Sequence, residues 1–394
     1  MLQEKPQIAF FSLAYYPFEG GAEVAAREII KRLKDFSFTI FTYKFDKGWL
    51  IKENKENAEI IRVGYGGSGH KKYGRIFDKI IYVFKAWRAA EELHKKNHFK
   101  VIWAMMASYG GIAALFFKLS HPNIPMLLTI QEGDCERHLI FGKFGLVGFF
   151  GKKIIQKADY IQVISNYLKD FIIKRGANCP IEVIPNGVDL DFFSTTYDDG
   201  EMELARKGLG IKDEYVVVTT SRLVYKNGVD VLVEAIGKLK DKTPIKCLII
   251  GGGPEQNKLK KRVEDLKIED KVIFLGQIAQ KDIPLYLKIS DIFVRVSRSE
   301  GLGNSFLEAM AAGIPVIGTR AGGIVDFLVD GVTGFFVEID DAENLAQKIK
   351  YILNNSELRK KVVENSLYMV QKNYSWDMLS GYFKAIFDKL INQR

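Results

Sequence analysis

The sequence predicts an α/β protein built as two parallel-sheet domains. Length is the first reason: 394 residues exceed one typical domain and suit two of roughly 150–200. The second is alternation, since short apolar runs and amphipathic helical stretches succeed one another along the whole chain, the pattern of repeated βαβ units. The third is local. Several apolar runs end in a glycine turn that opens a helix, which is where open parallel sheets carry their ligand-binding loops.

Taken in order, strands are expected in the first half at Ile8–Leu13, Phe38–Tyr43, Ile60–Val63, Val101–Ala104, Met126–Thr129, Tyr160–Ile164 and Glu182–Ile184. In the second half they are expected at Val216–Thr220, Lys246–Ile250, Val272–Leu275, Ile292–Val294, Pro315–Gly318 and Phe335–Val337. The intervening helices show apolar stripes at helical spacing, such as Val231, Leu232, Ala235, Ile236 and Leu239, and these read as core. The domain break is expected just after Pro185-Asn186-Gly187-Val188-Asp189. This gives a first domain over 1–190, turn-like acidic residues over Leu190–Glu201 (Asp198-Asp199-Gly200 among them), and a second domain over 200–375. A final helix over 376–394, apolar at Leu379, Phe383, Ile386, Phe387 and Leu390, is expected to pack back on the first domain.

Composition narrows the class. The chain is 47% hydrophobic and 27% charged, as in globular proteins, and has no low-complexity tract. Its start, Met1-Leu2-Gln3-Glu4-Lys5, lacks the basic region of a secretory signal. The longest apolar stretch, Val101–Phe117, is broken by Ser108-Tyr109-Gly110-Gly111 and falls short of the about 20 apolar residues of a membrane span. Three scattered cysteines (Cys135, Cys179 and Cys247) suit a reduced, cytoplasmic protein. The net charge of +9 admits an anionic ligand or surface. No nucleic-acid module is present, so nucleic acid is not an expected partner.

The chemistry concentrates in Ser297–Ile317. Ile292-Phe293-Val294 reads as a buried strand, and the loop Glu300-Gly301-Leu302-Gly303 follows it. Asn304 and Ser305 are good N-cap residues. The helix they open buries Phe306, Leu307 and Met310 and stops at Gly313-Ile314-Pro315. A helix N-terminus after a glycine turn binds anions, because free N–H groups and the helix dipole converge there. Glu300 lies in that loop and Glu308 about one turn into the helix, so one carboxylate can meet the reacting end of a ligand while the other grips hydroxyls further along. Two solvated carboxylates are the alternative reading. A second segment, Ser221-Arg222-Leu223-Val224-Tyr225-Lys226, lies between a strand and a helix. It puts Arg222 and Lys226 at the carboxyl edge of the same sheet, two cations suited to a diphosphate, or else a basic loop in water. Gly20-Gly21 closes the first strand before the first helix, but the full G-x-G-x-x-G spacing is absent, so a dinucleotide fingerprint is not supported. The five histidines share no metal-like spacing, and Asp189-Leu190-Asp191, at the linker, is not read as a metal motif.

Glu300 and Glu308 with their loop, together with Arg222-x-x-x-Lys226, resemble the E-x7-E and R-x-x-x-K elements of the retaining, GT-B-fold glycosyltransferases of family 4. The Gly20-Gly21 turn, Gly251-Gly252-Gly253-Pro254 and Asn186-Gly187-Val188-Asp189 add to the likeness, which spans nearly the whole chain. The resemblance implies two Rossmann-like domains facing across a central cleft. It implies sugar transfer from a UDP- or GDP-sugar to a carbohydrate or lipid-linked acceptor, without cofactor or metal, in cell-surface polysaccharide or glycolipid synthesis. Arg222, Lys226 and the helix start at Gly303, Asn304 and Ser305 would hold the diphosphate. Glu308 would hold the ribose, and Glu300, Gly301 and Leu302 the donor sugar. Gln277 and Ile278 would meet the base, and Gly20 and Gly21 would face the donor from the first domain.

One departure stands out. Gln131 occupies the place of a histidine in many relatives, and an amide can hydrogen-bond a sugar but cannot titrate. Glu132 and Asp134 are nearby carboxylates that could orient the acceptor, while His138 reads as loop. A nucleotide-sugar-binding protein without transferase activity and a GT-B nucleotide-sugar epimerase are the competing readings. Two stretches mix lysines with aromatic residues, from His70 into a helix with Phe77, Ile80 and Phe84, and Phe141–Lys153. They fit peripheral contact at the inner face of a membrane, or an ordinary packed helix and an acceptor loop.

Overall fold

The structure is a computed structural model that describes residues 5–18, 20–66, 76–133 and 146–392. It divides into two compact units, Met1–Asn186 with Trp376–Arg394, and Gly187–Ser375.

The first unit holds β1 (Gln7–Phe11), β2 (Ser37–Tyr43), β3 (Lys52–Lys55), β4 (Ala58–Val63), β5 (Val101–Met105), β6 (Met126–Ile130), β7 (Tyr160–Val163) and β8 (Ile181–Val183). Their order across the sheet is β3-β4-β2-β1-β5-β6-β7-β8. All neighbours pair in parallel except β3 and β4. Every residue of β5 and β6 is buried, as expected where helices cover both faces of a parallel sheet. The strand β3, Lys-Glu-Asn-Lys, is absent from the sequence expectation because it has no apolar residue to announce it. It lies at the sheet edge, half exposed, where charged side chains discourage pairing with another chain.

The core of this unit is aromatic. Trp103 is fully buried, lies 4.3 Å centroid to centroid from Phe10, and donates its indole N–H to Thr129 Oγ1 at 2.9 Å. The last helix, Trp376–Asn392, packs on this core through Leu379, Phe383, Ile386, Phe387 and Leu390. Phe387 stands 5.5 Å from Trp103 and 5.6 Å from Phe36.

The second unit holds β9 (Tyr215–Thr220), β10 (Ile245–Ile250), β11 (Val272–Gly276), β12 (Ile292–Arg295), β13 (Val316–Thr319) and β14 (Phe335–Val337), all parallel, in the order β11-β10-β9-β12-β13-β14. The helix Val229–Leu239 buries the stripe expected of it. The stretch expected to be turn-like is instead largely helical. Asp189 caps the short helix Leu190–Phe193, and Asp198 opens the helix Asp199–Gly208 with a capping box completed by Glu201. Asp-Asp-Gly suggests a turn, but an Asp followed three residues later by a Glu is a helix start in which side chain and backbone satisfy each other's donors.

Phe387→Ala removes a fully buried ring that joins the last helix to the first sheet. It is expected to cost about 3–5 kcal/mol, read as a lower urea midpoint followed by tryptophan fluorescence.

Candidate active site

The candidate site lies along the carboxyl edge of the second sheet, where the loops after β9, β10, β11 and β12 meet. The β9 and β10 loops are stitched by backbone bonds. Leu223 N–H donates to Gly252 O at 3.0 Å, and Glu255 N–H donates to Leu223 O at 3.0 Å. The β10 loop is tied to the end of β11 by Gly251 N–H to Gly276 O at 2.7 Å. Gln277 is exposed just beyond, with its side chain beside Gly252, and Ile278 is half-buried.

Arg222 and Lys226 ride on the β9 loop. Arg222 is exposed and enters no ion pair with the described residues, and Lys226 is half-buried. Buried Asn227 fixes the turn between them by donating to Arg222 O at 2.7 Å. The following loop holds this one in place: Arg298 N–H donates to Lys226 O at 2.7 Å. The Arg298 guanidinium forks onto both carboxylate oxygens of Asp230 at 2.9 and 2.7 Å and covers the Tyr225 ring at 4.0 Å. Hydrogen bonding to Asp230 keeps Arg298 charged, well above its already high ordinary range.

The loop after β12 carries Glu300, and its partner is a residue the sequence reading did not single out. Arg295, the last residue of β12, pairs with Glu300 Oε2, donates to Ser305 Oγ at 2.9 Å and reaches Asn227 Oδ1 at 3.4 Å. Arg295 and Glu300 are 13% and 12% exposed, so the pair is mostly sheltered from water. The other Glu300 oxygen accepts from Gly301 N–H at 3.1 Å. Gly322 lets the β13 loop close on Glu300: it has φ +56, and a Cβ there would stand 1.8 Å from Glu300 O.

Asn304 and Ser305 were expected to cap the next helix, but Gly303 holds the cap position. It takes φ +97 and offers no side-chain cap bond, and a Cβ on it would meet the Phe306 ring at 2.8 Å. Ser305 is unsuited to capping because its hydroxyl is used by Arg295. Leu302 is buried beneath the loop. Glu308, on the helix Asn304–Ala311, keeps some exposure, yet burial of its carboxyl pushes it up to about 7, a rise that nearby Arg295 opposes. Its carboxyl makes no hydrogen bond among the described residues.

In the first unit, Gly20 caps the helix Gly21–Arg32, with Val24 N–H donating to Gly20 O at 2.9 Å. Gln131 follows β6. Its Oε1 accepts from Asn186 Nδ2 at 3.0 Å, while its buried Nε2 has no partner among the described residues. Glu132 turns back to accept from Ala107 N–H at 3.0 Å and Gln131 N–H at 3.1 Å, so it braces the loop. Asp134 and His138 lie outside the described residues.

Sequence reasoning missed Arg295, Asn227, Arg298 and Asn186. Arg295 carried a usable signal: an arginine closing the apolar run Ile-Phe-Val enters the protein with its strand and requires a partner there.

Residues 201–367 match the family model described as glycosyl transferases group 1, and residues 19–192 the one described as glycosyltransferase family 4. An uncharacterized glycosyltransferase of Methanocaldococcus jannaschii is 27% identical over 381 residues, 95% of this chain and 96% of that protein. A GDP-mannose-dependent alpha-(1-6)-phosphatidylinositol monomannoside mannosyltransferase of Mycolicibacterium smegmatis is 33% identical over 211 residues, 51% of this chain and 55% of that protein. Among solved structures, sucrose-phosphate synthase from Thermosynechococcus elongatus superposes with a TM-score of 0.84 at 21% identity, covering 99% of this chain and all of that one.

Two outcomes follow from this geometry. Arg295→Met leaves Glu300 without its counter-charge, and is expected to destabilise the second unit by about 3 kcal/mol in chemical denaturation. The Glu308 carboxyl has an ordinary value of 4.5 and about 7 when folded, so the folded state holds the extra proton between them. Its stabilising contribution is whole below pH 4.5, shrinks as pH rises and is gone above about 7. Stability of the native chain relative to Glu308→Gln therefore falls across that interval, measured as the difference in denaturation midpoints.

Proposed function

This chain belongs to the group 1, family 4 glycosyltransferases and has their GT-B fold, and we propose that it moves a hexose from a UDP- or GDP-sugar to an acceptor hydroxyl with retention of anomeric configuration. The single observation that carries this reading is the convergence, at one sheet edge, of the Arg222–Lys226 loop with the helix start at Gly303-Asn304-Ser305. Two cations and a helix N-terminus at one place match the charge of a diphosphate.

In the reaction, the bond between the sugar's anomeric carbon and the diphosphate oxygen breaks, and its electron pair stays with the diphosphate. Arg222, Lys226 and the backbone N–H groups after Gly303 stabilise that growing charge, which is electrostatic catalysis. The acceptor oxygen bonds to the anomeric carbon, and its proton passes to the departing phosphate. This route needs no titrating side chain at Gln131. Glu308 takes the ribose hydroxyls, and Gln277 and Ile278 take the base. Glu300, held in orientation by Arg295 and by Gly301 N–H, positions the donor sugar together with Gly301 and Leu302. Gly20, Gly21 and Gln131 serve from the first unit. Gln131 Nε2, without a partner among the described residues, is the donor this reading assigns to a sugar oxygen.

The acceptor we propose is a carbohydrate or a lipid-linked sugar. The M. smegmatis relative, whose name gives a GDP-sugar donor and a lipid acceptor, supports that class. Gln131 also favours a second reading, nucleotide-sugar binding without turnover, which a product assay with a competent acceptor separates from the first.

Arg222→Ala and Lys226→Ala are each expected to lower kcat/KM for transfer about 100-fold. Full rates in both variants would remove the diphosphate assignment. Glu308→Gln is expected to raise the donor KM about tenfold with a smaller change in kcat. In a thermal-shift panel of UDP, GDP and their sugars, the true donor at 100 times its Kd stabilises by about 2.7 kcal/mol and stands apart from the rest.

A further inference from the structure

The basic stretches noted in the sequence, His70–Arg75 and Phe141–Gly145, lie outside the described residues. A different basic feature stands in the described part, at the amino edge of the first sheet. Gln7, Ser37 and Ala58, which open β1, β2 and β4, line an open hollow of about 980 Å³. Gln131 follows β6 at the carboxyl edge, so the hollow lies at the other end of the sheet. Two helices end beside it. Lys31 and Lys34 come from the end of the helix Gly21–Arg32 and the turn after it, and Lys96 from the last turn of the helix Ile76–Asn97. The first helix carries the chain from β1 to β2 and the second from β4 to β5, in opposite directions across the sheet. Right-handed crossovers therefore put them on opposite faces. Lysines from both layers meet at one edge, joined by Lys5 from the chain before β1.

The charge in this hollow is unbalanced. Lys52, from β3, is paired with Glu59 at 2.5 Å. Lys31, Lys34 and Lys96 are exposed and form no ion pair with the described residues. Glu56 is the remaining carboxylate of the lining, set against these three lysines and Lys5. A lysine in the last turn of a helix ordinarily offsets the dipole of that helix. Bringing the lysines of two helices and of the chain start to one hollow does more, since like charges repel there unless an anion lies between them. Lysine is a compact charge that binds phosphate without demanding a fixed geometry. The rest of the lining suits hydroxyls, with Asn54, Asn57 and Asn97 contributing amides. Asn57 donates to Leu33 O at 2.8 Å, and its buried Oδ1 has no partner among the described residues. That oxygen only accepts, so a hydroxyl can satisfy it and a fully ionised phosphate cannot. The aromatic ring of the lining, Phe38, is buried, so a nucleobase finds no surface to stack on.

We propose that this hollow is a second ligand site, for a small phosphate ester that also carries hydroxyl groups, such as a phosphorylated sugar. Lys31, Lys34 and Lys96 meet the phosphate, and the asparagines meet the hydroxyls. The volume is that of a small-molecule site. The inference stands on the first unit alone, at the sheet edge away from Gln131. It holds whether or not the chain transfers a sugar.

The test is isothermal titration calorimetry of the full chain with glucose 6-phosphate and fructose 1,6-bisphosphate, beside glucose and inorganic phosphate, at low and high salt. At least one ester is expected to bind saturably, about tenfold more tightly than inorganic phosphate, and to weaken as salt screens the lysines. Glucose is expected not to bind. Lys31→Gln with Lys96→Gln is expected to weaken ester binding by at least about tenfold, and Lys34→Gln by a smaller factor. All three positions are solvent-exposed, and unchanged circular dichroism and melting temperature confirm that the variants fold. Lys152→Gln with Lys153→Gln, exposed lysines elsewhere on the same unit, controls for overall charge and leaves binding unchanged. Arg222→Ala with Lys226→Ala, in the second unit, also leaves it unchanged. The proposal is overturned if neither ester binds, if inorganic phosphate binds as tightly as the esters, or if the Lys31 and Lys96 double variant binds like the native chain. It is overturned too if the Arg222 and Lys226 double variant alone abolishes binding, which returns the ester to the candidate active site. Nucleotide-sugar binding, read by thermal shift in the same preparations, reports on the transfer reading independently.

Discussion

The second unit's site depends on where one guanidinium goes. Arg295 ends β12 and is carried inside by the apolar residues before it, so its charge must be met there. Its fork reaches Glu300, Ser305 and Asn227, which belong respectively to the loop after β12, the helix that follows, and the turn after β9. The loop after β12, the helix it leads into and the sequence-distant turn after β9 are thereby held in one register. A sheltered ion pair contributes little net stability against an apolar replacement, but losing one partner is costly. Arg295 therefore fixes arrangement more than it adds stability.

The same guanidinium links the two carboxylates of the motif while treating them differently. Glu300 is in direct contact with it and also accepts from its own loop backbone. Glu308 feels it only at a distance, and burial outweighs that attraction. One carboxyl is oriented by two partners, and the other, pushed up by burial, makes no hydrogen bond among the described residues. That asymmetry suits a division of labour in which Glu300 shapes the loop around a sugar and Glu308 meets hydroxyls. Spacing alone did not contain this distinction, because it arises from a strand residue outside the motif.

What could be read from the chain follows from how strongly each signal is local. Parallel strands buried on both faces are continuous apolar runs, so β5, β6, β9 and β10 were plain. The edge strand β3 was not, because its backbone pairing on β4 owes nothing to apolar side chains. The helix at Asp199 was hidden by a composition that also makes turns, although the Asp198–Glu201 pair was there to be read. In the site, Arg222 and Lys226 were legible because charge at a strand–helix junction is conspicuous. Asn227 and Asn186 were not, since their side-chain hydrogen bonds to Arg222, Arg295 and Gln131 exist only after folding. The cap at Gly303 was misplaced for a related reason. Asn304 and Ser305 have the right chemistry, but Arg295 claims Ser305, and the tight approach of Phe306 requires the residue without a Cβ.

The first unit shows a complementary economy. Glu132 spends both carboxylate oxygens on backbone N–H groups, which makes it a brace for the loop after β6. Gln131 is thereby presented by a fixed backbone, with its side-chain oxygen held by Asn186 and its amide nitrogen without a partner among the described residues. A neutral donor so fixed can align a hydroxylated acceptor without exchanging a proton with it. Such a group suits a reaction in which the leaving phosphate takes the proton, and its burden shifts from acid–base chemistry to alignment. In the proposed transfer, the non-titrating Gln131 would contribute position and not proton transfer on the acceptor side.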